Sequence, residues 1–277
     1  MLVWAAFLAL LWQSPVPPAP APAAPPVAPA PEKPVFTSQG KPIVLNAPCG
    51  SAEMELFGLD CHADEPCPLF LDLTSVAAAG SRIFLAGNLH TESATIFGLL
   101  LVSEDDGRRW TDATARLSGA ALDALQFVDF QNGYVSGHAA GALLKDPFFL
   151  KTRDGGKTWE KLDVFDESAV GIIENFWFES ATQGAMVVDR MQAGTKAGRW
   201  QRYETMTGAG TWMLREVTPR APVVKRGKNE LWRLRTDGPA RAYRVEKRDG
   251  AQWKTVASFA IHSGHCKPDP PPPPIEP

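Results

Sequence analysis

The chain is punctuated by short runs of β-branched and aromatic residues. Each run meets a glycine-containing turn and then a second run of the same kind. RIFLAGN (82–88), LQFVDFQNGYVSG (125–137), FWFESATQGAMVVD (176–189) and NELWRLRTDG (229–238) share this form, and PFFLKT and WEKLDV flank one more turn at 153–158. Runs of this composition, with turn signals between them, predict β-strands.

Four tryptophans set the period. SEDDGRRW (103–110), TRDGGKTW (152–159) and TMTGAGTW (205–212) each place Ser or Thr seven residues before Trp, with Gly in the turn. EKRDGAQW (246–253) keeps the Asp-Gly pair one position off. The Trp-to-Trp spacings are 49, 53 and 41. Roughly four strands in a repeat of about 40–50 residues describe one blade of a β-propeller. The expected fold is therefore all-β, a propeller of five blades, with four as the alternative. Residues 36–60 supply about two further strands, which either complete a fifth blade or pair with the last one to close the ring.

The turn chemistry accounts for the window at 152–159. Asp154 is placed to accept backbone N–H bonds as in an Asx-turn. Gly155 and Gly156 permit the positive φ that a tight hairpin needs. Thr158 can bond back across the turn, and Trp159 can bury its indole against neighbouring strands. A catalytic reading of Asp154 lacks a partner carboxylate or histidine nearby in sequence, and a metal reading lacks oxygen ligands.

These windows resemble Asp-boxes, the S/T-x-D-x-G-x-T-W turns of bacterial neuraminidase-type repeats. The structural box residues under that resemblance are Ser103, Asp105, Gly107 and Trp110; Thr152, Asp154, Gly156, Thr158 and Trp159; and Thr205, Gly208, Thr211 and Trp212. Only TRDGGKTW is complete; SEDDGRRW lacks the Thr, and TMTGAGTW has Thr207 in place of Asp. The upstream pattern is similar to propellers of the photosystem II stability and assembly factor-like family. The resemblance covers about residues 61–256 and implies a role in assembling or stabilising another complex.

The ends read differently. Leu2 to Trp12 is an unbroken run of 11 apolar residues. It is too short to cross about 30 Å of hydrocarbon, and suits a signal-peptide core in residues 1–14. Residues 15–35 form a Pro/Ala-rich linker and 268–277 a Pro-rich tail, both expected to be disordered, leaving a propeller over 36–267. The chain is expected to be exported, periplasmic or extracellular, with no stable membrane span after processing.

Four cysteines in an exported chain suggest disulfides. Cys61–Cys67 would close a local loop, and Cys49–Cys266 would join the two ends of the ring. The alternative is a zinc site from Cys61, His62, Cys67, His262, His265 and Cys266, whose spacing matches no common pattern. No metal and no cofactor is expected.

Net charge is −3 over 277 residues, which excludes a global preference for nucleic acid. The charge is uneven. Cys49–Gln131 holds 13 acidic and 4 basic residues, while Met213–Lys254 holds 12 basic and 5 acidic. The basic set is Arg215, Arg220, Lys225, Arg226, Lys228, Arg233, Arg235, Arg241 and Arg244. Of these, Arg233, Arg235, Arg241 and Arg244 are the expected partner-binding residues for an acidic protein or peptide. A non-catalytic scaffold is the first functional reading. A sialidase-like glycoside hydrolase, or a sugar-binding propeller, is the second. Two carboxylates about 5–9 Å apart in a central pocket would favour the second, and an apolar or basic rim without such a pair the first.

Overall fold

The computed structural model describes residues 34–38, 40–140, 146–165, 170–190, 199–222 and 231–270. The apolar run near the N-terminus, the Pro/Ala stretch to residue 33 and the tail from 271 lie outside these residues, as do Lys225, Arg226 and Lys228.

A strand β1 (Val35–Thr37) and a short helix α1 (Ser51–Phe57) precede the first meander. That meander is β2 (Cys67–Ala79), β3 (Arg82–His90), β4 (Thr95–Ser103) and β5 (Arg109–Asp112), with β6 (Leu117–Ser118) paired to β4. The second is β7 (Ala120–Phe127), β8 (Gly133–Ala139), β9 (Pro147–Thr152) and β10 (Glu160–Asp163). The third is β11 (Ile172–Phe178), β12 (Gly184–Asp189), β13 (Trp200–Thr205) and β14 (Met213–Thr218). The last is β15 (Trp232–Asp237), β16 (Ala242–Asp249) and β17 (Gln252–Ala260), after which β18 (His262–Cys266) returns to pair with β2.

The described residues thus hold four antiparallel sheets in chain order, the blades of a β-propeller. Residues 34–60 make no sheet of their own among them. β1 extends the first sheet beside β5, and Ile43 bridges to Phe259 of the last. The early segment therefore spans the seam between the first and last sheets.

Apolar packing follows the same circuit. One buried cluster joins the last sheet to the first through Trp232, Val245, Phe259, Leu71, Leu85 and Trp110. A second joins the first to the second through Phe84, Leu100, Val135 and Phe148. A third joins the second to the third through Tyr134, Phe149, Phe178 and Met186. Interior strands such as β3 are buried on both faces because sheets cover both sides, whereas β14 lies exposed at an outer edge.

Two disulfides are present, Cys49–Cys266 and Cys61–Cys67, with Cα separations of 4.6 and 5.3 Å. All four sulfurs are bonded in pairs, so the thiolates of the alternative zinc site are not available. Around Cys49–Cys266, Ser51 N–H donates to Asp269 Oδ2 and Asp269 N–H donates to Ser51 Oγ, at 3.1 and 2.9 Å. Paired cysteines mark a non-reducing environment. No helix among the described residues is long and apolar enough to cross a membrane.

Candidate functional site

The opening strand of each of the first three sheets slips its register by one residue. The extra residue is Thr74 in β2, Asp123 in β7 and Glu174 in β11. They lie 49 and 51 residues apart, the spacing of the repeat itself. A β-bulge leaves its extra residue out of the ladder and re-aims its side chain. All three line one cavity of about 520 Å³, walled by Thr74–Ala78, Asp123–Phe127, Ile173–Trp177, Leu231 and Trp232. Four sheets thus converge on it, through the C-terminal parts of β2 and β7, the length of β11 and the start of β15.

Side-chain amides and hydroxyls tie these strands together. Asn88 donates to Leu122 O at 3.1 Å and accepts from Leu122 N–H at 2.7 Å. Thr74 Oγ1–H donates to the same carbonyl at 2.9 Å, and Leu125 N–H donates to Ser75 Oγ at 3.1 Å. Gln126 repeats the clamp on the third sheet, donating to Phe178 O at 2.8 Å and accepting from Phe178 N–H at 2.9 Å. Tyr243 O–H donates to Asp72 Oδ1 at 2.8 Å, tying the last sheet to β2. The cavity therefore has a fixed frame.

Its lining mixes apolar and aromatic residues with six polar ones: Thr74, Ser75, Asp123, Gln126, Glu174 and Asn175. Asp123 is held by His138 Nδ1 at 2.9 Å. Glu174 is exposed, and Asn175 Oδ1 is buried with no hydrogen-bond partner. No Lys, Arg or His stands among the described lining residues. The alternation of polar and apolar residues gave no sign of this site, because a bulge reverses the alternation where it falls.

The box residues lie at hairpin turns and none lines the cavity, although Trp159 packs on Phe127 of its wall at 5.9 Å. Those of the first three sheets join the third strand of the meander to the fourth, while 246–253 joins β16 to β17. At the first box, Gly107 N–H donates to Ser103 Oγ at 2.9 Å, and Arg109 N–H and Nε–H donate to the two oxygens of Asp105, both at 2.8 Å. At the second, Gly156 N–H donates to Thr152 Oγ1 at 2.8 Å, and Thr158 donates to Asp154 through N–H at 3.0 Å and Oγ1–H at 2.6 Å. Arg109 therefore fills the place of the missing Thr. At the third, Thr211 N–H donates to Thr207 Oγ1 at 2.8 Å, so a hydroxyl takes the carboxylate's place. Gly156 has φ +83° and lies against the Phe84 ring, with no room for a Cβ.

The bonding sets the carboxylates' acidity. The bond from Arg109 holds Asp105 at about 2, against the opposing effect of burial. Burial pushes Asp154 up, but the bonds from Thr158, Thr152 and Lys157 outweigh it and hold the carboxyl well below its ordinary value.

The box tryptophans wedge between sheets. Trp159 meets Phe84 of the first sheet at 6.0 Å, and Trp212 stacks on Phe149 of the second at 5.4 Å. Trp253 differs, lying 4.2 Å beneath the Arg233 guanidinium of its own sheet.

The basic residues are partly neutralised. Arg233 pairs with Glu246 at 2.6 Å, Arg244 with Asp237 at 3.4 Å and Arg215 with Glu204 at 3.0 Å. Lys247 reaches Asp106 of the first sheet at 3.7 Å, so a pair of opposite charges crosses the ring seam. Arg235 and Arg241 are exposed. A second cavity, about 620 Å³, lies between the first two boxes, and the Arg82–Glu104 pair at 3.0 Å lies along it.

No protein-family profile and no curated protein matches the sequence. Among solved structures, the chain is similar to YCF48 bound to D1 peptide, with 15% identity, TM-score 0.38, and coverage of 69% of this chain and 56% of that one. It is also similar to an α-L-arabinanase of Penicillium chrysogenum complexed with arabinobiose, with 10% identity, TM-score 0.36, and coverage of 81% and 66%. The chain thus spans less than two thirds of the length of either.

Proposed function

We propose that the chain is an exported, non-catalytic propeller scaffold that holds a protein or peptide partner. Its task is to assemble or stabilise a complex of the cell envelope, periplasmic or extracellular. The observation that carries this reading is the central cavity. Its volume lies in the range typical of ligand sites, about 300–1,000 Å³, and it combines apolar and aromatic residues with polar ones, of which Thr74, Ser75, Asp123 and Gln126 are held by hydrogen bonds. β7, β11 and β15 are sheet edges at its walls. Sheet edges are where extended peptides add by main-chain pairing. The boxes serve this scaffold as turns and wedges. The exposed arginines of the last sheet, Arg235 and Arg241 foremost, with Arg233 and Arg244 beside them, form an outer patch for an acidic part of the partner.

Panning a random-peptide display library on the full chain tests the reading. Enriched peptides should bind the wild type and fail on Trp177→Ala at an unchanged melting temperature. A second reading, glycoside hydrolysis or sugar binding, is favoured by one observation, the presence of Asp123 and Glu174 in one cavity. Failure of every peptide, together with an oligosaccharide cleaved by wild type and spared by Glu174→Gln, would replace the first reading by the second.

A further inference from the structure

We propose that the central cavity recognises a cationic side chain, lysine or arginine, presented by an extended peptide. The inference rests on the peptide-binding reading above and names what the peptide must carry.

The polar groups facing the cavity are weighted towards acceptors. Asp123 and Glu174 stand at equivalent bulges on neighbouring sheets, so the same backbone device aims both carboxylates at one space. Asn175, the next residue after Glu174, also belongs to the wall, with its Oδ1 buried away from the open space. No Lys, Arg or His stands beside the two carboxylates among the described lining residues.

The apolar walls point the same way. Trp177 lines the cavity beside the carboxylates, with Phe127 and Trp232 in the same wall, Phe127 packed on Phe84 and Trp159, and Trp232 under Lys247 Nζ. An ammonium or guanidinium carries an apolar stem and is attracted to aromatic faces as well as to carboxylates. An acidic side chain would meet the exposed carboxylate of Glu174 there, beside Asp123, which His138 already holds. A neutral sugar would use the aromatic faces and could accept the same geometry without a preference for charge, so charge is the discriminating variable. The outer arginines of the last sheet are a separate surface, and the two can engage different parts of one partner.

The test uses the full chain and three labelled heptapeptide pools with identical random flanks and a central Lys, norleucine or Glu. Fluorescence anisotropy reads binding. The Lys pool should bind about tenfold tighter than the norleucine pool, the size expected for one charge-assisted bond, with the Glu pool weakest. Glu174→Gln should erase most of that preference, and Glu174→Lys should invert it. Glu174 is exposed, and melting temperatures verify that both variants fold. Equal binding of the Lys and norleucine pools, with both lost in Trp177→Ala, would overturn the cation inference and leave the peptide reading standing. Binding of a neutral oligosaccharide with no binding of any pool would overturn both.

Discussion

Trp110 of the first sheet lies edge-on to Phe259 of the last, with ring centroids 5.5 Å apart and planes at 74°. Both rings are fully buried, and Trp110 Nε1–H donates to Gly107 O at 3.0 Å. The contact is the ring-closing counterpart of Trp159 on Phe84 and Trp212 on Phe149, each a box tryptophan set against the preceding sheet. One local turn, repeated, thus supplies the wedge at three boundaries, including the seam. Trp110→Ala should lower stability by roughly 3–5 kcal/mol. In a double-mutant cycle with Phe259→Ala, the coupling should be about 0.5–1.5 kcal/mol. Additive losses in urea melts would show that the two rings act independently.

The second box tests whether its aspartate is a turn group. Asp154→Ala removes the acceptor for Thr158 and Lys157, and Trp159→Ala removes the wedge. Both should lower the thermal midpoint, Trp159→Ala by the equivalent of roughly 3–5 kcal/mol, and both should leave peptide binding at the cavity intact. An unchanged midpoint with binding lost would assign the box to function instead.

Acid stability should depend on the same carboxylates. Asp105 is held at about 2 and Asp154 is also depressed, so as pH falls through the ordinary carboxylate range the folded state binds fewer protons than the unfolded state. Their stabilisation is complete above about pH 5 and is lost as pH falls through about 4 towards 2. The double variant Asp105→Asn/Asp154→Asn should be less stable than wild type at pH 7 and should lose less of its melting temperature between pH 7 and 3. Equal acid losses in the two proteins would contradict this.

What the sequence made legible were features held within a few residues or forced by topology. Asp154, Gly156 and Trp159 announce a turn because the bonds that shape it span at most four residues. Cys49 and Cys266 were pairable from sequence because a closed ring must bring its ends together. The cavity was hidden for the opposite reason. Thr74, Asp123 and Glu174 sit at bulges, and a bulge shifts the inward–outward alternation that strand reading relies on. The neutralising pairs Arg233–Glu246 and Arg244–Asp237 depend on strand register, which composition does not record. Trp253 shares the spacing of the box tryptophans, yet it packs under Arg233, because neighbours rather than spacing decide what a ring touches.

The two disulfides should contribute unequally. Cys49–Cys266 spans 217 residues and Cys61–Cys67 spans 6. Loop-closure entropy assigns about 5 kcal/mol to the first, an upper bound, and about 2 to the second. Cys49→Ala/Cys266→Ala should therefore shift the denaturant midpoint more than Cys61→Ala/Cys67→Ala. Equal shifts would show that the long bridge does not hold the seam.

The outer arginines of the last sheet should act through exposed charge. Arg233 and Arg244 are engaged with Glu246 and Asp237, so reversing them would leave like charges facing each other and confound binding with folding. Arg235 and Arg241 are exposed and offer a cleaner test. Clustered exposed charge speeds association and is screened by salt, with a Debye length of about 8 Å at physiological strength. Arg235→Glu/Arg241→Glu should slow capture of an acidic model polypeptide, poly-glutamate, about tenfold at low salt, and the difference should vanish in about 1 M salt. Glu174→Gln, at the cavity, should leave that capture unchanged. Surface plasmon resonance on the full chain reads both. Association rates insensitive to the reversal and to salt would remove the last sheet from the docking surface.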